Sequence, residues 1–138
     1  MIEEPRLLTV RQDPPRPTKE QVAAFQDVPT GFVADALGGG GALCSSIRPV
    51  GDGQDIACAA AGPAFTANNG PADILATAAA LNFILPGDIL VASAAGYQGC
   101  AAAGDHVIAM LKNTGGAGFV TDGPVRDYAG IVEVDLPV

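Results

Sequence analysis

Residues 96–127 read GYQGCAAAGDHVIAMLKNTGGAGFVTDGPVRD, and this segment decides the fold class. It contains a loop with two glycines, an apolar run at 107–111 that is typical of a helix, a glycine-rich break, a β-type pair at 119–120 and a polar turn. The ends of these elements carry two acidic residues and one arginine: Asp105, Arg126 and Asp127. Ligand sites in α/β proteins form at helix starts and strand ends, so the segment also marks a candidate site.

The rest of the chain continues this alternation of helices and strands. Two short helices are predicted near the N-terminus, one after Thr18, which can form a capping box with Gln21, and one over 31–37 after Thr30 as its cap. A third helix is predicted over 72–83 from its apolar spacing. Short strands are predicted at four places: 64–67, 89–92, 118–121 and 131–134. Strands that alternate with helices indicate an α/β fold with an at least partly parallel sheet.

A proline-rich segment precedes the first helix. Its four prolines predict an irregular N-terminal arm over residues 1–18, because proline disrupts a helix interior. The remaining residues, 19–138, are predicted to form one α/β domain, since they have the usual size of a domain and contain neither an internal repeat nor a linker. Hydrophobic residues make up 49% of the chain, which is enough to build a buried core.

The charge balance is acidic: seven Lys and Arg against 15 Asp and Glu give a net charge of −8. Without a basic cluster, binding to nucleic acid or to an anionic membrane surface is not expected. No apolar run reaches the roughly 18 residues that a membrane-spanning helix needs. The N-terminus lacks the basic-then-apolar order of a signal peptide, so we expect a soluble, cytoplasmic protein.

Cysteine and histidine usage excludes several kinds of site. Cys44, Cys58 and Cys100 are odd in number and widely spaced, so they are predicted to be buried, reduced thiols rather than zinc ligands or disulfides. His106 is the single histidine of the chain, which excludes a His-rich metal site. It is a minor candidate for proton transfer, because its side chain is expected to leave the helix in a different direction from that of Asp105. Cys100 then has no other histidine to activate it as a nucleophile.

The start of the predicted helix at Gly104 and Asp105 has two interpretations. The first backbone N–H groups of a helix lack partners and the helix dipole adds partial positive charge, so this end can hold a carboxylate or phosphate. Gly104 removes a side chain where such a ligand would approach. Alternatively, Asp105 is an ordinary N-cap of a surface helix, since aspartate is among the commonest capping residues.

Arg126 and Asp127 are open to two interpretations as well. An arginine in a loop after a strand can bind a substrate carboxylate with its planar guanidinium. The adjacent Asp127 can hold a hard divalent cation such as Mg²⁺, which prefers oxygen ligands. Alternatively, the two residues form a solvated ion pair in a turn that Asp122-Gly123-Pro124 opens.

The interval between these two places carries a resemblance to a known family. Asp105, then twenty residues, then Arg126-Asp127 resembles the Asp-x20-Arg-Asp signature of class II pyruvate aldolases of the 4-hydroxy-4-methyl-2-oxoglutarate aldolase type. The same superfamily includes the regulator of ribonuclease activity A. Further matches in the family's order extend over about residues 25–138: Pro29-Thr30, Asp35-Ala36-Leu37, Gly62-Pro63-Ala64, Pro86-Gly87-Asp88, Gly118, Asp122-Gly123 and Leu136-Pro137-Val138.

The resemblance implies an αββα-type sandwich related to swivelling β/β/α domains, assembled as a homotrimer or a hexamer with the site near a subunit interface. It implies that the pyruvoyl carboxylate binds to the backbone N–H groups of four residues: Gly104, Asp105, His106 and Val107. Arg126 would contact the same substrate and stabilise its enolate oxygen. Asp127 would hold Mg²⁺, Mn²⁺ or another divalent metal, and Asp105 would position a water that relays protons.

The implied activity is the metal-dependent cleavage of 4-hydroxy-2-oxo acids, such as 4-hydroxy-4-methyl-2-oxoglutarate, to pyruvate, with decarboxylation of oxaloacetate. The alternative is a non-catalytic regulator of ribonuclease activity that acts by protein–protein binding, since a fold does not by itself establish catalysis. Family members usually continue beyond the Leu-Pro-Val segment, so this chain is expected to lack the family's C-terminal strands.

Overall fold

A computed structural model describes residues 6–138 of the chain. The helices are α1 (Lys19–Ala23), α2 (Thr30–Ala36), α3 (Leu75–Ala80), α4 (Asp105–Asn113) and α5 (Tyr128–Val134), and the strands are β1 (Ala64–Asn68), β2 (Ile89–Ser93) and β3 (Gly118–Thr121). A 3-10 turn spans Val50–Gly53. Residues 6–18 of the predicted N-terminal arm contain no helix or strand, and residues 1–5 of that arm lie outside the described residues.

The three strands form a parallel sheet in the order β1-β2-β3. Leu90 of the central strand lies opposite Phe65 on one side and Phe119 on the other. Parallel neighbours need crossover connections, which α3 and α4 provide. The predicted α/β class and parallel sheet are therefore confirmed, and all three strands end at the same edge of the sheet.

The core is formed by the sheet and by the helices and loop segments that cover it. Its members are apolar and almost fully buried: Ile56, Ala67, Ala80, Leu81, Ile84, Leu90, Ala92, Ala103, Ile108, Leu111, Phe119, Ile131 and Leu136. Burial of each larger aliphatic side chain contributes about 1.5–3 kcal/mol to folding. Because α4 supplies Ile108 and Leu111 and α5 supplies Ile131, this core also fixes the two helices at whose N-terminal ends the candidate site lies.

Helix α5 corrects one prediction. A strand was expected over 131–134, but the structure has a helix over Tyr128–Val134. The β-branched residues of this run favour a strand in isolation. In the folded chain, Ile131 is fully buried in the core and Gly130 lies against Asp105 of α4. Tertiary packing therefore outweighs local propensity here.

The predicted helix starts are partly confirmed. The capping box of α1 is present, since the Gln21 N–H donates to Thr18 Oγ1 at 3.2 Å and the Thr18 N–H donates to Gln21 Oε1 at 2.8 Å. The cap predicted for the second helix is wrong, because Thr30 is already helical and Pro29, whose φ is fixed by its ring, takes the cap position.

Helix α3 is shorter than predicted. The apolar spacing suggested 72–83, whereas the helix spans Leu75–Ala80. Ala72 has a left-handed φ of 57°, which a helix interior cannot contain. The carboxylate of Asp73 accepts the Leu75 N–H at 2.8 Å and so satisfies one of the free donors at the true start of the helix.

An ion pair fastens the N-terminal arm to the domain. Arg16 donates to Oδ1 of Asp88, whose side chain is fully buried, and the Leu85 N–H donates to Oδ2 of the same carboxylate at 3.0 Å. A buried carboxylate is tolerated only when it is paired and hydrogen-bonded, so Arg16 holds the arm at this place. Among residues 6–138, no helix has the length and apolar character needed to cross a bilayer.

Candidate functional site

The loop before α4 and the loop before α5 run side by side. Ala103 and Val125 form a parallel bridge, and the Arg126 N–H donates to the Ala103 carbonyl at 3.1 Å. One residue earlier, the Ala102 N–H donates to the Pro124 carbonyl at 2.7 Å. These bonds place the first turn of α4 next to the first turn of α5.

Gly104 lies where the two loops touch. A β-carbon at this position would be 2.5 Å from Oδ2 of Asp127 and 3.2 Å from Cγ of Arg126. Any larger residue would therefore displace both side chains. The glycine lets the side chains of Arg126 and Asp127 approach the backbone at the start of α4.

The backbone N–H groups at the start of α4 are only partly available. The Ile108 N–H makes the first intrahelical bond, to the Gly104 carbonyl at 3.2 Å. The His106 N–H donates to Oδ1 of Asp105 at 2.6 Å, so the carboxylate of Asp105 occupies a position that a bound anion would take. Among residues 6–138, the N–H groups of Gly104, Asp105 and Val107 have no hydrogen-bond partner. Three donors, supported by the helix dipole, are therefore unpartnered at the start of α4.

Asp105 and His106 interact through their side chains. Nδ1 of His106 lies 3.0 Å from Oδ1 of Asp105, so the expectation that the two side chains point in different directions is wrong. The exposed imidazole ring, 96% accessible, is free to rotate back onto the carboxylate. This hydrogen bond lowers the pKa of Asp105 and raises the pKa of His106. At neutral pH Asp105 is therefore an anion, which suits it to orienting a water rather than donating a proton.

Asp105 also packs against α5. A β-carbon at Gly130 would lie 2.7 Å from Cβ and 3.0 Å from Cγ of Asp105. Asp105, the first residue of α4, therefore contacts a glycine of α5. In the same way, Asp127, just before α5, contacts Gly104, just before α4. The two close approaches fix the separation of the two helix starts.

Arg126 and Asp127 form an exposed ion pair, with Nε and Oδ2 3.1 Å apart and side chains 74% and 44% accessible. Asp127 has a left-handed backbone with φ 64° and ψ 46°, a conformation that aspartate adopts more readily than most residues other than glycine. This conformation turns the chain into α5, since the Ile131 N–H donates to the Asp127 carbonyl at 3.0 Å.

The residues present are compatible with a hard divalent cation. Residues 6–138 contain no cluster of three or more histidine, cysteine, aspartate or glutamate side chains. Mg²⁺ does not require such a cluster, because it keeps several waters and binds proteins through one or two carboxylates. Oδ1 of Asp127 has no hydrogen-bond partner in the described part of the chain and the side chain is 44% accessible, so one carboxylate oxygen is available to a cation.

Asp122 organises the neighbouring loop, a role that the sequence did not reveal. Its carboxylate accepts the Ala94 N–H at 2.5 Å, the Gly96 N–H at 2.9 Å and the Ser93 hydroxyl at 3.2 Å. The bond from Ala94 is the main reason why the pKa of Asp122 is lowered. The Gln98 side chain adds a bond to the Asp122 carbonyl at 3.0 Å. Asp122 therefore ties the loop after β2 to the end of β3, close to the candidate site.

The remaining predicted candidates lie elsewhere. All three cysteines are free, as predicted, but they are exposed rather than buried, because they lie in loop segments that contribute little to the core. Two cavities, of about 350 and 780 Å³, are also present in the described residues. Neither is lined by Asp105, Arg126 or Asp127, and the side chains of Arg126 and Asp127 are 74% and 44% accessible in this chain.

Comparison with known sequences identifies a matching family. The model of the RraA-like family, described as Aldolase/RraA, matches residues 30–138. A Halalkalibacterium halodurans protein named "putative 4-hydroxy-4-methyl-2-oxoglutarate aldolase" is 36% identical over 117 residues, covering 85% of this chain and 54% of that protein. The chain therefore spans about half the length of this curated relative.

Two solved structures of RraA proteins also resemble this chain. Streptomyces coelicolor RraAS2, described as an unusual member of the RNase ES inhibitor RraA protein family, is 28% identical with a TM-score of 0.71, covering 88% of this chain and 62% of that chain. The RNA-processing inhibitor RraA from Thermus thermophilis is 23% identical with a TM-score of 0.66, covering 80% and 65%. At this identity the second likeness concerns the fold alone.

Proposed function

The chain belongs to the RraA-like family, as its sequence resemblance indicated, and on that premise we propose that it is a divalent-metal-dependent aldolase that releases pyruvate from 4-hydroxy-2-oxo acids. The name of the curated relative associates lyase activity with this family. The observation that carries the proposal is the convergence of Asp105, Arg126 and Asp127 around Gly104.

The start of α4 would bind the carboxylate of the 2-oxo acid. The unpartnered N–H groups of Gly104, Asp105 and Val107 are the donors available in the described chain. The His106 N–H becomes a fourth donor when the Asp105 carboxylate turns away from it. Arg126 lies across the space above Gly104, where its guanidinium can contact the same substrate.

Asp127 would hold Mg²⁺, Mn²⁺ or another divalent metal through its free carboxylate oxygen. When bound, such an ion polarises the 2-oxo group as a Lewis acid. Arg126 would stabilise the negative charge that develops on the same oxygen, and electrostatic stabilisation of this type usually contributes more to catalysis than any other effect. The ion pair between Arg126 and Asp127, at 3.1 Å, supports a position for both groups on one side of the substrate.

The reaction proposed is a retro-aldol cleavage. A base takes the proton of the C4 hydroxyl, the C3–C4 bond breaks, and its electron pair moves through C2 onto the C2 oxygen to give the pyruvate enolate and a carbonyl product. A water oriented by the Asp105 carboxylate then protonates C3. Oxaloacetate would give the same enolate when its C3–C4 bond breaks and carbon dioxide leaves, a step that needs no base because C4 is already a carboxylate.

We also propose a homotrimer or a hexamer as the active assembly. The support is that the candidate site is open and that the Arg126 side chain is 74% accessible in a single chain, whereas aldolase chemistry benefits from exclusion of water. Light scattering coupled to size-exclusion chromatography tests this, and a monomer that is fully active would exclude it.

A second function is supported by one relative and by charge. RraAS2, 28% identical, is described as a member of an RNase ES inhibitor family. The net charge of −8 would favour binding to a basic protein surface. Under this alternative the chain is a non-catalytic regulator of ribonuclease activity that acts through protein binding.

A coupled assay distinguishes the two functions. Pyruvate release, followed with lactate dehydrogenase and NADH, is measured on oxaloacetate and on several 4-hydroxy-2-oxo acids, including 4-hydroxy-4-methyl-2-oxoglutarate. Each substrate is tested with Mg²⁺, with Mn²⁺ and with EDTA, and the rate without protein is subtracted. We expect release that requires the metal. If no substrate gives metal-dependent pyruvate, the aldolase proposal is wrong, and inhibition of a ribonuclease by the purified chain becomes the decisive measurement.

A further inference from the structure

Tyr128, the first residue of α5, contacts a distant part of the chain. Its hydroxyl donates to Oδ2 of Asp55, 73 residues earlier. Asp55 is held in place because the next residue, Ile56, is 1% accessible and belongs to the core. The hydrogen bond therefore connects the residue after Asp127 to a fixed point of the domain.

The ring of Tyr128 is also held from one side by backbone. A β-carbon at Gly51 would lie 2.8 Å from both Cε2 and Cζ of the tyrosine. Gly51 has a left-handed φ of 61° inside the 3-10 turn. The turn is itself tied down, because the Val50 N–H donates to the Val138 carbonyl at 3.0 Å. Glycine is required at position 51 both by its backbone conformation and by the approach of the ring.

Asp127 has a left-handed backbone, and the chain on each side of it is fixed by a contact with another segment. On its N-terminal side, the Arg126 N–H is bonded to the Ala103 carbonyl. On its C-terminal side, the immediate neighbour is Tyr128. We propose that the Tyr128–Asp55 hydrogen bond is a positioning contact that holds Asp127 in its left-handed conformation, with its carboxylate over Gly104.

This role differs from a contribution to the stability of α5. The helix is already anchored by Ile131, which is fully buried, and by the approach of Gly130 to Asp105. Loss of one hydroxyl at the first residue leaves both contacts in place. The expected consequence is local: the backbone at Asp127 becomes more mobile while the rest of the domain stays folded.

The link to metal binding rests on the proposed function. If Asp127 holds the cation, loosening its backbone weakens cation binding while leaving Arg126 and the start of α4 intact. Partners that orient a metal ligand typically change affinity about 10–100-fold when removed. We therefore expect the Kd for the cation to rise. The fall in kcat, measured at saturating cation, should be smaller than the change in Kd. A merely structural defect would lower kcat and leave the affinity of the folded fraction unchanged.

Two measurements on the full chain test the inference. The first is the hydrogen-exchange rate of the Ile131 amide, measured without metal. This amide donates to the Asp127 carbonyl, so its exchange reports how firmly the backbone at Asp127 is held. Electron paramagnetic resonance of free Mn²⁺ gives the Kd of the cation. The variants are Tyr128→Phe and Asp55→Ala, with Asp55→Asn as the conservative replacement that keeps an acceptor. Tyr97→Phe, a second exposed tyrosine, is the matched control.

In Tyr128→Phe and Asp55→Ala we expect the Ile131 amide to exchange about tenfold faster and the Kd for Mn²⁺ to rise about tenfold. The Ile108 amide of α4 should be unaffected, and Asp55→Asn and Tyr97→Phe should behave as the wild type. Unchanged exchange at Ile131, or an unchanged Kd in a wild type that binds Mn²⁺, overturns the positioning role. If the wild type neither binds Mn²⁺ nor releases pyruvate, the proposed function fails, and exchange at Ile131 alone decides whether Tyr128 positions the corner.

Discussion

The carboxylate of Asp105 lies against Gly130, so closely that a β-carbon at Gly130 would be 3.0 Å from Cγ of the aspartate. The approach joins the first residue of α4 to the first turn of α5. Together with the parallel contact between Ala103 and Val125, it makes two helix starts, separated by more than twenty residues in the sequence, into one surface.

Replacement of Gly130 by alanine should therefore disturb the site more than the fold. Alanine is favoured over glycine in a helix by about 1 kcal/mol, which offsets part of the steric cost. The new methyl group must displace Asp105, so we expect pyruvate release to fall at least about tenfold. Gly31→Ala in α2, where no atom lies within 4 Å of the added carbon, is the control and should retain full activity. Wild-type activity in Gly130→Ala would show that Asp105 needs no fixed position.

Asp105 and His106 should contribute unequally to catalysis. Asp105→Asn removes the charge that orients the proton-relaying water, and we expect kcat to fall about 100-fold or more. His106→Ala should cost less than about fivefold, because the imidazole is 96% accessible and only the backbone N–H of this residue is assigned to substrate. Steady-state kinetics of the two variants provide the comparison. A loss in His106→Ala as large as in Asp105→Asn would instead identify the imidazole as the acid–base group.

Asp122 should make stability depend on acid pH. Its pKa is lowered in the folded state by the N–H groups of Ala94 and Gly96, so its contribution is present above the unfolded pKa near 3.9 and is lost as pH falls through the folded value. Asp122→Asn should lower the free energy of unfolding by about 1 kcal/mol at pH 7. The difference in this free energy between the variant and the wild type should shrink below pH 4. Urea unfolding at both pH values measures this, with the exposed Asp35→Asn as control. A difference that stays constant with pH would contradict the charged network.

Removal of Arg16 should destabilise the domain. Asp88 is fully buried, and without Arg16 its carboxylate would lose its cationic partner and keep only the bond from the Leu85 N–H. We expect Arg16→Ala to lower the free energy of unfolding by about 2 kcal/mol. This is less than for a fully buried pair, because the Arg16 side chain is 31% accessible. Urea unfolding of Arg16→Ala measures the effect against Arg11→Ala, an exposed residue of the same arm. Asp88→Asn in the Arg16→Ala background should restore part of the loss, and an unchanged midpoint in Arg16→Ala would show that the arm is not held.

The sequence predicted the parts of the molecule that have local signals. The strand at 118–121 and the start of α4 at Asp105 follow from periodicity and glycine placement, and both are confirmed. Asp105, Arg126 and Asp127 were identified because their spacing resembles a family signature, and the structure brings them together around Gly104.

The missed features depend on contacts between distant residues. The run at 131–134 has the composition of a strand and becomes a helix because Ile131 packs into the core. The bond from Tyr128 to Asp55 and the network around Asp122 join separate loops and leave no local pattern. The same holds for the cysteines, whose exposure is set by how little their loops contribute to the core.

A comparison of two aspartates at the ends of α5 tests the central claim most directly. Asp127 and Asp135 both have left-handed backbones, with φ 64° and 53°, and asparagine tolerates this conformation. Only Asp127 lies beside Gly104 and Arg126. With Mn²⁺ and the best 2-oxo acid substrate, we predict that Asp127→Asn lowers pyruvate release at least about 100-fold, while Asp135→Asn stays within about twofold of the wild type. Equal rates in all three proteins, or pyruvate release that persists in EDTA, would contradict a metal-dependent site at Asp127.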